Sequence, residues 1–194
     1  MSSPFLYHAG DRLSGAELAA ARLDGDVIEI GEAFMPADAV ETRELRAGSL
    51  GSLVGPQLAL THESAAWVHG AIDDLPSRHC IQRRTESRIH AVLDASVRYR
   101  DVRLPPVDTE IIGGIAVSTP TRTIVDLLRD RVLREQASPD VVDLMLRWRP
   151  ALASAAIEWL LRAGPVQHKR AALAFLRLRL SPHGTSEAAA ATRR

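Results

Sequence analysis

Hydrophobic positions near the start of the chain recur at helical spacing and then change to a strand pattern. Ser14 with Glu17 three residues later forms a capping box, and Gly25 is a typical helix end. Residues 26–36 follow as a predicted β-hairpin that turns at Gly31-Glu32. A helix followed by a hairpin is the back half of a winged helix. The predicted apolar stripe of the helix consists of Leu18, Ala19 and Leu23.

A glycine-rich stretch separates this first unit from the rest of the chain. Residues 37–56 begin with charged positions that predict one helical turn. They continue with Gly48, Gly51, Gly55 and Pro56, which favour loops. We therefore interpret residues 1–54 as a truncated winged-helix-like unit followed by a linker.

Strand patterns dominate the segment from Gln57 to Ser118. A short helix is predicted after Thr61 and ends at Gly70. Residues 76–84 are predicted to form a strand, and residues 97–104 alternate as a strand with one solvated face. Residues 108–112 and 115–117 flank Gly113-Gly114, which predicts a second hairpin.

Helical spacing returns at Thr119-Pro120, where threonine caps a helix and proline suits its first turn. Arg122 and Asp126 lie four residues apart and are expected to pair. Three more helices are predicted, beginning at Ser138, Pro150 and Gln167, and residues 181–194 are expected to be frayed. The inward positions predicted for the first two of these helices are Val142, Leu146, Trp148, Ile157, Leu160 and Leu161. On the third helix, one face holds Leu173, Leu176 and Leu180.

These patterns predict an α+β fold with a reduced winged-helix-like N-terminal unit, a small mixed β-sheet domain with helices, and a C-terminal helical layer. The domain boundary is placed after residue 54, so that residues 55–194 form an α/β domain with C-terminal helices. The 194 residues are 46% hydrophobic, which is enough for a core.

Composition excludes several classes of protein. The single cysteine, Cys80, rules out an internal disulfide and a multi-cysteine zinc site. No apolar run reaches ~18 residues and the N-terminus lacks a secretory signal pattern, so we expect a cytoplasmic protein with no membrane partner. The formal net charge is zero, but its distribution is uneven. Residues 1–54 hold four arginines and nine acidic residues, whereas residues 136–194 hold nine basic and four acidic residues. This asymmetry indicates mutual docking, a polar face for a partner, or an ordinary solvated surface.

A basic stretch is the strongest candidate for binding chemistry. If the strand with Arg83 and Arg84 lies beside the strand on which Arg98 and Arg100 share a face, their guanidinium groups form one cluster. Such a cluster binds phosphates through charge and paired hydrogen bonds. The alternative is internal pairing with nearby acids: Asp73, Asp74, Asp108 and Glu110. The seven arginines of the stretch are Arg78, Arg83, Arg84, Arg88, Arg98, Arg100 and Arg103.

Enzymatic patterns fail on spacing. His62 and His69 are two helical turns apart, ~10 Å along the axis, whereas one metal needs them a single turn apart. Lys169 follows Gln167 as in some metal-dependent nucleases, but it lies in a region that is helical throughout. Phosphate-binding and dinucleotide-binding glycine motifs are absent. We therefore predict no catalytic residues, no metal, no cofactor and no enzymatic activity.

Three segments keep the order and spacing of a known family. They are residues 60–70 (LTHESAAWVHG), the strand with Arg83-Arg84, and residues 114–127 (GIAVSTPTRTIVDL). Together they resemble the AbiEi-type antitoxins of type IV toxin–antitoxin systems over residues 10–130. The resemblance implies a winged helix ahead of an antitoxin-like α/β domain. It also implies binding to promoter DNA, repression of the protein's own operon, and action against a nucleotidyltransferase toxin without a tight complex.

The expected function is therefore a non-enzymatic, antitoxin-like transcriptional regulator that binds duplex DNA. The predicted first helix has Arg22 as its only basic residue, and the wing carries Glu29 and Glu32, which oppose binding to a phosphate-lined groove. We expect the arginines of the basic stretch to contact DNA instead. The alternative is a protein-interaction module of the same fold that has lost DNA binding, which the acidic first fifty residues favour. A metal-dependent nuclease is a third hypothesis, and convergent acids that would support it are absent from the sequence pattern.

Overall fold

A computed structural model describes residues 4–89, 95–133 and 141–180, which form seven α-helices and seven strands. The helices are α1 (Gly15–Asp24), α2 (Arg43–Ser49), α3 (His62–Val68), α4 (Pro120–Leu133), α5 (Val141–Trp148), α6 (Leu152–Arg162) and α7 (Lys169–Leu180). The strands are β1 (Val27–Ile30), β2 (Ala33–Pro36), β3 (Leu58–Leu60), β4 (His79–Arg83), β5 (Val97–Arg103), β6 (Thr109–Ile112) and β7 (Ile115–Ser118). The predicted α+β class is confirmed.

The chain divides into two units, Met1–Thr119 and Pro120–Arg194. The boundary predicted after residue 54 lies inside the first unit, and the division into residues 1–54 and 55–194 stays a prediction.

The predicted helix and hairpin at the start of the first unit are confirmed. The Ser14 hydroxyl accepts a hydrogen bond from the Glu17 amide at 3.3 Å, and the Glu17 carboxylate accepts one from the Ser14 amide at 2.7 Å. Gly25 ends α1 in the left-handed conformation, with φ 83°. β1 and β2 pair antiparallel around Gly31-Glu32. The predicted stripe is corrected, because Leu18 alone among its three members is buried.

Residues 43–54 belong to the core of the first unit, which corrects their interpretation as a linker. Thr42 caps α2 by accepting a hydrogen bond from the Leu45 amide at 3.3 Å. The helical turn predicted in this region is therefore confirmed as α2. Leu45, Leu50 and Val54 are buried in one cluster with residues of the sheet. The glycines of this segment permit tight turns, but its apolar side chains point inward.

A mixed five-stranded sheet forms the body of the first unit, in the order β5-β4-β3-β7-β6. β3 pairs antiparallel with β4 and parallel with β7. β4 and β5 are parallel, and β6 and β7 form the predicted antiparallel hairpin around Gly113-Gly114. β3, the central strand, was not predicted, because three residues are too few for an alternating pattern.

The larger hydrophobic cluster of the first unit lies on one face of this sheet, and a smaller one of Ala59, Leu104 and Ala116 is separate from it. Leu60, Ile81 and Val117 from three strands are fully buried in the larger cluster. Trp67 and Val68 of α3 join them, together with the buried side chains of α2. Trp67 is therefore a residue of this core.

Helices α4 to α7 make up the described part of the second unit, where α4 contacts each of the other three. Met145, Leu160 and Leu176 are fully buried in α5, α6 and α7. The prediction that Leu161 points inward is wrong, since its side chain is exposed. Leu180 at the end of α7 is exposed as well. The predicted helix start at Ser138 and the predicted frayed end at residues 181–194 lie outside the described residues.

Candidate nucleic-acid interface

β4 and β5, the two strands of the basic stretch, lie side by side in the sheet. They are parallel neighbours in which Cys80 pairs with Arg98 and Gln82 with Arg100. The register then shifts between Gln82 and Arg83, and Arg83 lies opposite Arg103. The shift separates the arginines in the middle of the strands from those at their carboxyl ends.

The two faces of this strand pair hold different arginines. Ile81 of β4 and Val97 of β5 are buried in the larger hydrophobic cluster. Because side chains alternate along a strand, the neighbours of Ile81 in β4 and of Val97 in β5 point to the opposite face. Arg98 and Arg100 lie on that opposite face and are half-buried. They share one face, as predicted, but Arg83 does not lie on it.

Cys80 occupies the same face as Arg98 and Arg100. Its thiol donates a hydrogen bond to the Glu63 carboxylate at 3.4 Å. Burial, and then the negative charge of Glu63, raise the pKa of Cys80 to about 12, although the nearby charges of Arg100 and Arg98 oppose the shift. The thiol is therefore protonated at neutral pH, which makes it a poor nucleophile and metal ligand.

A compact ionic group lies at the carboxyl ends of β4 and β5. Asp101 accepts a hydrogen bond from Arg83 Nε at 2.8 Å, and its second oxygen lies 3.1 Å from Arg88 Nε. Desolvation opposes ionisation of Asp101, but the Arg83 hydrogen bond and the charges of Arg83 and Arg88 lower its pKa overall. The Tyr99 hydroxyl also donates to Asp101, at 3.3 Å.

Arg103 extends this ionic group toward solvent. Its Nη1 lies 3.1 Å from a carboxylate oxygen of Glu86, whose own backbone carbonyl accepts a hydrogen bond from Arg83. Three arginines thus share the two carboxylates of Asp101 and Glu86. The group keeps one excess positive charge. We call Arg83, Arg88, Arg103, Asp101 and Glu86 the strand-end group.

The remaining two arginines of the stretch bind backbone carbonyls. Arg84 directly follows Arg83 in the sequence and donates a hydrogen bond to the Pro56 carbonyl at 3.2 Å. Arg78 donates to the Val97 carbonyl at 3.0 Å and therefore lies at the amino ends of β4 and β5. The seven arginines thus occupy three places along the strand pair and do not form one cluster.

Internal pairing, the predicted alternative, occurs with other acids than those expected. Asp101 and Glu86 are the partners of the strand-end group, whereas Glu110 lies 3.7 Å from Arg43. The useful signal in the sequence was the alternation of β5, which places Tyr99, Asp101 and Arg103 on one side. The register shift after Gln82 has no comparable signal.

Residues considered for metal chemistry have structural roles. His69 Nε2 lies 2.8 Å from the Ser118 carbonyl, and His62 Nδ1 lies 3.0 Å from the Thr61 hydroxyl. Lys169 donates to the Ala163 carbonyl at 2.7 Å. Within residues 4–89, 95–133 and 141–180, His, Cys, Asp and Glu side chains do not gather in threes as a metal would require.

The predicted ion pair on α4 is confirmed and buried. Arg122 Nε lies 2.8 Å from an Asp126 oxygen, and Arg129 reaches the other oxygen at 3.2 Å. The Arg122 guanidinium also stacks over the Trp159 ring, 5.3 Å from its centre. This network explains why an arginine is tolerated near a helix start, where the dipole disfavours it.

The structure places the segments that carried the family resemblance at β3–α3, β4 and β7–α4. The AbiEi antitoxin C-terminal domain family matches residues 58–178. This match covers more than half of the chain, so the chain belongs to that family and is an antitoxin of a toxin–antitoxin system.

A crystal structure of the RV2827C protein from Mycobacterium tuberculosis is similar to this chain at 19% identity, with a TM-score of 0.33. The alignment covers 84% of this chain and 70% of that one. Among curated proteins, none matches this chain. Within the described residues, no helix has the length and apolar composition needed to cross a membrane.

Proposed function

We propose that this antitoxin is a non-enzymatic transcriptional regulator that binds the duplex DNA of its own promoter. The family match over residues 58–178 carries the proposal, because it defines the class of protein. The strand-end group supports DNA binding. It supplies guanidinium groups at the carboxyl ends of β4 and β5 and in the loop after β4, where exposed N–H donors are available to phosphates.

Arg88 and Arg103 are the arginines best placed to contact phosphate. The Arg88 side chain is 74% exposed, and Arg103 is also exposed. Each contacts a carboxylate through one nitrogen, and a guanidinium has further N–H donors to offer. The excess positive charge of the group favours a polyanion over a neutral ligand.

Arg83 contacts both acids that pair with Arg88 and Arg103, and in this proposal it positions those two arginines. Its side chain is largely buried and spans Asp101 and the carbonyls of Thr85 and Glu86. Asp101 in turn pairs with Arg88, and Glu86 pairs with Arg103. Arg84 is a further contact residue in this proposal. Arg78 lies at the amino ends of β4 and β5, and Arg98 and Arg100 lie on the face opposite the larger hydrophobic cluster. These three arginines stay predicted DNA contacts, and we expect each to contribute less than Arg88 or Arg103.

The experiment is a gel shift with the DNA upstream of the protein's own gene, across a series of salt concentrations. We expect affinity to fall with salt, since binding to phosphates releases counterions. Arg88→Gln combined with Arg103→Gln is expected to lower the slope of log affinity against log salt by about 2. Arg147→Gln combined with Arg162→Gln removes two exposed arginines that belong neither to the strand-end group nor to the acidic region, and serves as the control.

Salt-independent binding, or an unchanged slope for the Arg88/Arg103 variant, would overturn the DNA-binding proposal. In the same proposal, the protein counters a nucleotidyltransferase-type toxin without forming a tight complex with it. The second candidate is a protein-interaction module that has lost DNA binding, favoured by the nine acidic residues among residues 1–54. It predicts no retention of DNA at any salt concentration and a stable protein partner in pull-down experiments.

A further inference from the structure

Helix α1 presents an apolar face to solvent. Ala16, Ala19, Ala20 and Leu23 follow the spacing that places residues on one side of a helix, and all four are exposed. Leu23 is 83% exposed, although leucine is usually among the most buried residues. The opposite side of α1 is the one that packs inward, through Leu18.

Negative charge runs along one edge of this face. Glu17 and Asp24 are exposed, lie seven residues apart, and so are ~10 Å apart along the helix axis. We call Ala16, Ala19, Ala20 and Leu23, with Glu17 and Asp24, the α1 face. Covering its apolar side chains would be favourable, and its acidic edge favours a partner with positive charge.

Helix α7 has the matching arrangement. Ala171, Ala174 and Leu178 are exposed on one side of the helix, with Leu178 67% exposed. Arg170 and Arg177 are exposed along one edge of that side and are also seven residues apart. We call these five residues the α7 face. It repeats the pattern of the α1 face with the opposite charge.

We propose that the α1 face of one copy of this chain docks on the α7 face of a second copy. Small alanines allow two helices to approach closely, and each leucine then fills the groove of the facing helix. Two acidic and two basic residues at equal spacing along the edges fix the pairing. The same contact gives a role to the opposite charges of the two ends of the chain.

The contact joins two different surfaces, so it is heterologous and association runs head to tail. Each helix is only about three turns long, so one contact is small and the association is weak. The proposal is independent of DNA binding, because none of its residues belongs to the strand-end group.

The test is sedimentation velocity of the full chain across a dilution series. We expect concentration-dependent association that weakens as salt rises, because exposed charges are screened. Leu23→Ser and Leu178→Ser are each expected to weaken association roughly tenfold or more, since each removes one buried leucine per contact. Leu161→Ser removes an exposed leucine of α6 and should leave association unchanged.

Mixing the two variants gives the decisive measurement. A Leu23→Ser copy keeps its α7 face and a Leu178→Ser copy keeps its α1 face, so one intact contact remains between them. With one variant fluorescently labelled, the mixture should form a heterodimer under conditions where each variant alone is monomeric. A monomer at every concentration of the unsubstituted chain would overturn the proposal, as would a mixture that associates no better than its components.

Discussion

Arg46 shows how one charged side chain can stabilise the core of the first unit. Its Nη1 donates to the carbonyls of Trp67 and Ile72, at 2.7 and 3.0 Å, and its Nε contacts Glu41. The guanidinium also lies over the Trp67 ring, 5.2 Å from its centre. These contacts join α2 to the end of α3, where helix carbonyls need donors from elsewhere.

We expect Arg46→Met to lower the free energy of unfolding by about 3 kcal/mol, since it leaves two partly buried carbonyls without this donor. Methionine keeps much of the apolar contact with Trp67, so the loss reports mainly the hydrogen bonds. Arg43→Met on the same helix is the control. Arg43 is exposed and its ion pairs with Glu44 and Glu110 face solvent, so its loss should cost less than about 1 kcal/mol. Equal effects in urea titrations of the two variants would contradict this role of Arg46.

The arginines also show where residue-level prediction ends. Three arginines have three different kinds of partner. Arg46 donates to backbone carbonyls, Arg122 pairs with a buried carboxylate, and Arg88 pairs with an exposed carboxylate. The Arg122–Asp126 pair was predictable because both residues lie on one helix. The contacts of Arg46 and Arg88 depend on segments distant in sequence.

Elements with local signals were predicted well, and those that depend on distant pairing were not. The capping box of α1 and the glycines of both hairpin turns act within a few residues, so sequence spacing is enough to locate them. β3 exists because β4 and β7 flank it, and nothing within Leu58–Leu60 indicates those neighbours. Likewise, the strand-end group depends on distant pairing: alternation along β5 locates Arg103, but the position of Arg83 follows from the register shift after Gln82.

The turn between β6 and β7 fits against α2 through Gly113. Gly113 has φ 56°, and a Cβ atom there would lie 2.6 Å from the Glu44 carbonyl oxygen. Gly114 has φ 85°, and a Cβ atom there would have no heavy atom within 4 Å. Both positions favour glycine by backbone conformation, but only Gly113 also needs the space.

These two glycines therefore form a matched pair for substitution. Gly114→Ala is expected to cost roughly 1 kcal/mol, the usual penalty for a left-handed alanine. Gly113→Ala should cost about 3 kcal/mol, because the turn must also move away from the backbone of α2. Urea titrations of the two variants measure the difference. A Gly113→Ala protein as stable as Gly114→Ala would mean that the turn and α2 are not packed as closely as the structure shows.

Over the whole molecule the formal net charge is zero, but different regions of the chain carry opposite net charges. Residues 1–54 hold five more acidic than basic residues, while the described residues 141–180 hold seven basic and two acidic. A polyanion approaching the strand-end group therefore also meets the field of the acidic region. The acidic region therefore repels DNA phosphates over a distance, and this repulsion weakens as ionic strength rises.

Neutralising acids far from the strand-end group should consequently strengthen DNA binding. Asp26 and Asp38 are exposed residues of the acidic region and belong neither to the α1 face nor to the strand-end group. We expect Asp26→Asn combined with Asp38→Asn to raise affinity for promoter DNA on the order of threefold at low salt, through reduced long-range repulsion. The gain should disappear at about 1 M salt, where screening acts within ~3 Å. Gel shifts of the variant and the unsubstituted protein at both salt concentrations measure this. A gain that persists at high salt would instead indicate a new local contact, and equal affinities at low salt would show that the acidic region does not repel DNA.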